Sequence, residues 1–160
     1  MHLVLLAIGT RMPAWVTEGF NEYQKRMPPD MRLTLEEIPM PKRGKGDAGS
    51  QIRAEADALR KRLETIVKKS PGAKTVALEV NGRALDTHAL SRKLGELKDV
   101  GQDLVLLVGG PDGLCPELSA SAHERWSLSN LTLPHPLVRV LLAEQLYRGW
   151  TLLTGHPYHR

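Results

Sequence analysis

Two imidazoles, a phenol and a guanidinium crowd the last five residues, His156-Pro157-Tyr158-His159-Arg160. A chain end ordinarily frays, so such a density of reactive side chains is either chance or part of a site. A histidine titrates near neutrality and can move a proton. A planar guanidinium forks onto a phosphate or carbonyl, and a tyrosine can stack on or hydrogen-bond to a nucleobase. Metal binding by the two histidines is disfavoured, because no cysteine pair or acidic cluster stands beside them.

Three further stretches carry chemical potential. Leu106-Leu107-Val108-Gly109-Gly110-Pro111-Asp112-Gly113 reads as a buried strand followed by a glycine turn. In open α/β sheets ligands bind beyond the carboxyl ends of strands, where glycines let the backbone approach them closely. The turn is neither a P-loop, since no Gly-Lys-Ser/Thr follows, nor a dinucleotide fingerprint; taken alone, it is equally a plain turn. Leu128-Ser129-Asn130-Leu131-Thr132-Leu133-Pro134-His135-Pro136 sets two prolines about a histidine. Those prolines restrict the backbone there, so its amides and carbonyls can meet an adenine edge, or the pair can simply start a helix. Leu137–Thr154 is a helix apolar on more than one side, so it is central to the domain or packs on a second subunit. Its Arg139 and Glu144 then need partners, and Glu144 has an ordinary one in Arg148 at i, i+4.

These residues need elements to hold them. Leu3–Ile8 reads as a buried strand rather than a signal peptide. Helix is expected from Pro13 to about Lys25, strand at Arg32–Ile38, and helix from about Ser50 to Lys69 with Ile52, Ala56, Leu59, Leu63 and Ile66 at helical spacing. Thr75–Val80 is a third strand with Asn81-Gly82 as a turn. Asp86 and Thr87 cap a helix to about Leu97. Leu104–Val108 is a fourth strand, Pro116–Arg125 a helix, Leu128–Leu133 a short strand, and Pro136–Thr154 the last helix. Such alternation implies a mainly parallel sheet covered by helices on both faces. Residues 1–160 form a single domain, and Pro39–Gly49, carrying Lys42, Arg43 and Lys45, is its one insertion-like loop.

The chain of 160 residues bears a net charge of +4, a moderate bias toward a polyanion. The lone Cys115 rules out an intrachain disulfide and fits a reducing cytosol. No base is evident for it as a nucleophile. No stretch approaches the roughly 20 apolar residues of a membrane span, and a cytoplasmic location without membrane or metal partners is expected.

Together the opening Leu-Leu-Ala-Ile-Gly-Thr-Arg-Met-Pro-x-Trp, the loop Pro-Lys-Arg-Gly-Lys, the Val-Gly-Gly-Pro-Asp-Gly turn, Ser-Leu-Ser-Asn-Leu-Thr-Leu-Pro-His-Pro-Leu-Val-Arg-Val and the terminal His-Pro-Tyr-His-Arg resemble the SPOUT class of RNA methyltransferases. Within that class the chain is similar, over its whole length, to the ribosomal large subunit methyltransferase H family. The resemblance implies an α/β SPOUT fold with a deep trefoil knot in about residues 75–160, a homodimer, and S-adenosylmethionine as cofactor. It implies methylation of N3 of the pseudouridine at position 1915, in helix 69 of 23S rRNA within assembled ribosomes. Carried onto this chain, it places the cofactor at Leu78, Gly109, Leu128, Ser129, Asn130, Leu131, Thr132 and Leu133. The chemistry of the acceptor then nominates His159 as base, with Tyr158, Arg160 and Arg139 assisting, and Lys42, Arg43 and Lys45 as RNA contacts, Arg11 and Lys25 lying at the margin. The other readings are a SPOUT enzyme acting on another RNA and a non-catalytic ribosome-binding factor.

Overall fold

The central strands are the most apolar segments of the chain, and the sheet is built outward from them. The computed structural model describes residues 1–42 and 46–159. Five strands, β1 (His2–Ile8), β2 (Arg32–Ile38), β3 (Lys74–Ala84), β4 (Leu104–Val108) and β5 (Glu124–Ser127), lie in the order β2-β1-β4-β3-β5, every pairing parallel. Strand β1 pairs Leu3 with Leu104 and Ala7 with Val108. Such runs of leucine and valine belong to strands covered on both faces.

Side chains alternate between two cores, as strand geometry requires. Leu3, Leu5 and Ala7 join Leu104, Leu106 and Val108 beneath α1 (Ala14–Gln24), α3 (Thr87–Asp99) and α5 (His135–Leu153), where Phe20, Leu90, Leu94, Leu142, Ala143 and Leu146 are buried. Val4, Leu6 and Ile8 join Val105 and Leu107 on the other face, under Ala56 and Leu59 of α2 (Ala48–Lys69) and Leu118 of α4 (Pro116–Ser121). Helices α2 and α3 are capped by Asp47 and Asp86, whose carboxylates accept from the amides of Ser50 and Ala89 at 2.9 and 2.7 Å.

Helix α5 lies between α1 and α3 at close range. A methyl at Gly19 of α1 would stand 2.9 Å from Val140, and one at Gly149 would stand 2.9 Å from Leu94. The Ser91 hydroxyl donates to the Gly149 carbonyl at 2.8 Å. This explains the apolar character of α5 on more than one side within a single copy of the chain.

The structure corrects the sequence expectation along β3 and before α5. Asn81-Gly82 is not a turn: β3 runs on to Ala84 and, after a register shift between Leu78 and Arg83, pairs again with β5. Gly82 makes this possible, because a Cβ there would lie 2.5 Å from the Trp126 carbonyl carbon. Helix α4 stops at Ser121 rather than Arg125, and the last strand is Glu124–Ser127 rather than Leu128–Leu133. Glu124 is pinned there by Lys93, by Lys74 and by the Trp126 indole N–H, which donates to it at 2.8 Å. Residues 128–133 form a loop in which Ser127 Oγ donates to the Ser129 carbonyl and Ser129 Oγ accepts from the Leu131 amide, both at 2.9 Å. Local serine bonds of this kind compete with a strand ladder.

Candidate functional site

At the carboxyl ends of β3 and β4 the sheet opens into a cavity of about 830 Å³, within the range of small-molecule sites. Three walls enclose it. Leu78, Glu79, Val80 and Asn81 come from β3; Val108 and the turn Gly109–Leu114 come from β4; Leu128, Ser129, Leu131–His135 and Val138 come from the loop before α5 and its first turns. The lining is mainly apolar, with backbone polar groups interspersed and the carboxylates of Glu79 and Asp112 as its acidic members. Leu131 is 73% exposed although it lines the cavity, so its apolar surface is available to an occupant.

The glycine turn owes its shape to close packing. A Cβ on Gly109 would lie 2.4 Å from the Gly113 carbonyl carbon, and one on Gly110 would lie 2.8 Å from Oε2 of Glu55. Gly113 has φ of 84°, in the region that favours glycine. Glu55, 3% exposed on α2, accepts from the Gln51 amide at 3.2 Å, while Gln51 also donates to the Pro41 carbonyl at 3.1 Å. The turn therefore rests on a polar chain that reaches the start of the basic loop.

Leu78, Gly109, Leu128, Ser129, Leu131, Thr132 and Leu133 all line the cavity, as expected for the cofactor residues. Asn130 does not; it is exposed. Glu79, Val80, Asn81 and His135 also line the cavity, in addition to the residues expected to meet the cofactor. The Pro-His-Pro signal marks His135, whereas reading Asn81-Gly82 as a turn hides Asn81.

Arg139, expected to assist at the site, is not among the residues that line the cavity. It is fully buried beneath the end of β1, behind His135 of the cavity wall. Its guanidinium donates to Glu37 at 2.5 Å and to the carbonyls of Ile8 and Gly9 at 3.0 and 2.8 Å. The buried charge finds its partners inside the fold, and Arg139 positions the β1–α1 turn. In that turn Arg11 holds φ of 59°, an uncommon conformation for a residue other than glycine.

The tail is ordered, with Pro157–His159 forming one 3₁₀ turn. The Tyr158 phenol donates to Glu144 at 3.0 Å, its ring meets Tyr147 edge-on at 4.8 Å, and the Arg148 guanidinium lies over it at 5.0 Å. Burial and the bonds to Tyr23 and Glu144 push the Tyr158 phenol well above the ordinary tyrosine range. Glu144 also accepts from Arg148 at 2.5 and 2.8 Å, so the expected i, i+4 pair forms and holds the tail as well. Tyr158 and His159 are not among the residues lining the cavity of their own chain. From Val138, at the cavity, to Glu144 is about 9 Å along α5 at 1.5 Å per residue. His159 Nδ1 is buried without a hydrogen-bond partner.

Lys42 is exposed at the start of the basic loop. Arg43, Lys45 and Arg160 lie outside the described residues. No described helix is long and apolar enough to cross a membrane.

Comparison with known proteins matches this arrangement to a family. A family model described as "Predicted SPOUT methyltransferase" matches residues 1–159. A ribosomal RNA large subunit methyltransferase H from Hahella chejuensis is 52% identical over 161 residues, covering 100% of this chain and 99% of that protein. A protein of the same name from Pseudomonas aeruginosa is 50% identical and covers 100% of both. In fold, the structure of a probable methylase family protein from Haemophilus influenzae aligns at a TM-score of 0.57 with 14% identity, over 99% of this chain and 70% of the other. A parallel sheet with a ligand-sized cavity at its carboxyl ends, a match along nearly the whole chain and relatives of about half-identical sequence place this protein in the SPOUT methyltransferase family.

Proposed function

We propose that this protein transfers a methyl group from S-adenosylmethionine to N3 of the pseudouridine at position 1915 in helix 69 of 23S rRNA, acting in the cytoplasm as a homodimer on assembled ribosomes. The observation that carries the reading is the convergence of Leu78, the glycine turn and the Leu128–Leu133 loop on one cavity. The relatives' names supply the class of RNA, and family membership supports a trefoil-knotted path for the carboxyl-terminal part.

The lining suits the cofactor. Leu78, Leu128, Leu131 and Leu133 offer apolar contact to a flat purine, and the Ser129–Leu133 backbone offers donors and acceptors for its edge. Gly109 lets the turn fold tightly against Gly113 at the cavity wall, and Glu79 and Asp112 suit a ligand that carries positive charge. When bound, S-adenosylmethionine supplies an electrophilic methyl group on a sulfonium whose leaving group is neutral.

The harder demand falls on the acceptor, whose N3 carries a proton between two carbonyls. The protein must orient that ring, remove the proton and stabilise negative charge on the flanking oxygens. Tyr158, whose hydroxyl proton goes to Glu144, anchors the tail that carries His159 and Arg160. Because the tail docks on α5 rather than in its own cavity, it serves the cavity of the second copy. Trp15, 53% exposed on α1, and Leu137, exposed on α5, supply apolar surface for that contact. Lys42, Arg43 and Lys45 hold RNA phosphates and contribute binding rather than chemistry.

The test is transfer of labelled methyl to ribosomes from cells lacking the modification, with mass mapping of the nucleotide. Label confined to N3 of that pseudouridine supports the reading. Label on free transfer RNA would assign another target, and cofactor binding without transfer would make the protein a non-catalytic ribosome-binding factor.

A further inference from the structure

The acceptor proton needs a destination, and the cavity wall contains one imidazole. His135 lies between Pro134 and Pro136 at the first turn of α5 and lines the cavity. Its Nδ1 is buried and has no hydrogen-bond partner. Its Cε1 lies 3.3 Å from where a Cβ on Gly9 would stand, so the ring packs against the end of β1. Gly9 is held in turn by Arg139, which donates to its carbonyl at 2.8 Å. The ring is thus seated by packing, with prolines on both sides limiting the backbone. Among the described residues no hydrogen bond occupies Nε2.

We propose that His135, rather than the tail's His159, is the catalytic base that takes the N3 proton of the acceptor pyrimidine. This rests on the reading of the cavity as the methyl-transfer site. The balance is simple: the N3–H bond breaks, its electron pair stays on nitrogen, and the proton bonds to imidazole Nε2 to give an imidazolium. Nitrogen then forms its bond to the methyl carbon as the carbon–sulfur bond breaks, with that pair going to sulfur. The imidazolium returns its proton to water.

The surroundings favour the accepting form. Burial, and after it the Arg139 charge, hold the His135 imidazole below the ordinary histidine range. The positive end of α5 acts in the same direction. Of the charged groups nearby, Arg139 shares its helix, Glu37 of β2 is engaged by Arg139, Arg11 lies in the β1–α1 turn, and Glu79 of β3 and Asp112 of the glycine turn line the same cavity. The neutral base is therefore the dominant species at pH 7, which a proton acceptor requires.

Single-turnover methylation of unmodified ribosomes across pH, with the full-length wild type, His135→Gln and His159→Gln, tests this. His135→Gln should lower the rate at pH 7 about 100-fold or more, in the range of a lost general base, and should abolish the acid limb. Its affinity for S-adenosylmethionine should stay within about threefold of wild type. His159→Gln should keep the acid limb whatever its rate. Independently, NMR titration of the His135 ring in cofactor-free protein should give a midpoint below 6.5, matching the limb. An acid limb that survives in His135→Gln, or vanishes in His159→Gln, overturns the assignment, as does a ring midpoint at or above 6.5. If His135→Gln fails to bind cofactor, His135→Asn and the wild-type titration decide. A wild type that transfers no methyl to ribosomes refutes the function itself, which is a different result from an active wild type with an indifferent His135.

Discussion

The Tyr158 phenol and the Glu144 carboxylate meet at 3.0 Å, joining the end of the chain to the middle of the helix that also walls the cavity. Glu144 receives Arg148 through the same oxygen, so one carboxylate fixes both the tail and the cation over the tyrosine ring. Replacing Glu144 with Ala should release the tail while leaving the sheet intact. Hydrogen exchange at residues 155–159 should rise, the far-ultraviolet spectrum should be unchanged, and methyl transfer should fall at least tenfold. Unchanged exchange in the tail would show that Tyr147 and Trp150 hold it alone.

The same pair makes a prediction about alkaline pH. The folded Tyr158 phenol ionises well above its unfolded value of 10.0. Its contribution to stability is complete below pH 10 and is lost as pH rises from there through the folded value, because the unfolded chain releases the proton first. The denaturant midpoint of wild type should therefore fall more steeply above pH 10 than that of Tyr158→Phe. Equal slopes would mean that the phenol is not protected in solution.

Arg139 can be tested as a structural residue. Arg139→Met leaves Glu37 without its cation and the Ile8 and Gly9 carbonyls without donors. Leaving two carbonyls unpaired and the part-exposed Glu37 without its cation costs about 3–5 kcal/mol, and each kcal/mol moves the melting temperature by about 2–4 °C in a chain of this length. A fall of about 6–20 °C in calorimetry is expected, with activity disappearing as the fold does. Arg139→Lys should recover only part of it, since an ammonium cannot fork to three acceptors. An inactive Arg139→Met with wild-type melting would return this residue to the chemistry.

Much of the fold was legible because its central strands carry unbroken apolar runs. Leu104–Val108 and Arg32–Ile38 have the expected bounds, and the covering helices follow from their spacing and from Asp86 as a cap. The edge at β5 was not legible. Glu-Arg-Trp-Ser has no strand pattern of its own, and it becomes a strand through contacts with residues about 30 to 50 positions earlier: Lys93, Lys74 and the backbone of Val76. The Leu-Thr-Leu alternation of 131–133 imitates a strand, but local serine hydrogen bonds hold that stretch open as cavity wall. Family resemblance located most of the cofactor residues. The apolar helix marked Arg139 as a charge in need of a partner, but not which partner, because Glu37 lies 102 residues away in sequence.

The glycine turn should be sensitive to its support on α2. Gly110→Ala would drive a methyl to 2.8 Å from the Glu55 carboxylate, and the turn must shift to relieve it. Affinity for S-adenosylmethionine, read by calorimetry, should drop about tenfold or more. Removing the obstruction with Glu55→Ala in the same chain should restore part of that affinity, because the methyl then occupies the space of the carboxylate. Absence of rescue would mean that the Glu55 carboxylate is not what the added methyl displaces.

The basic loop should act on RNA alone. Gln51 anchors its beginning through the Pro41 carbonyl, and Lys42 projects from it, exposed. Every phosphate left without its cation should reduce the slope of log affinity against log salt by about one. Combined Lys42→Ala, Arg43→Ala and Lys45→Ala should weaken ribosome binding most at low salt and flatten its salt dependence by up to about three, with cofactor affinity unchanged. Because a bound phosphate is neutralised wherever it lies, that slope reports ion pairing irrespective of chemistry. A triple variant with the wild-type slope but a reduced turnover number would mean that the loop acts on catalysis, through the Gln51–Glu55 chain beneath the glycine turn, rather than on RNA.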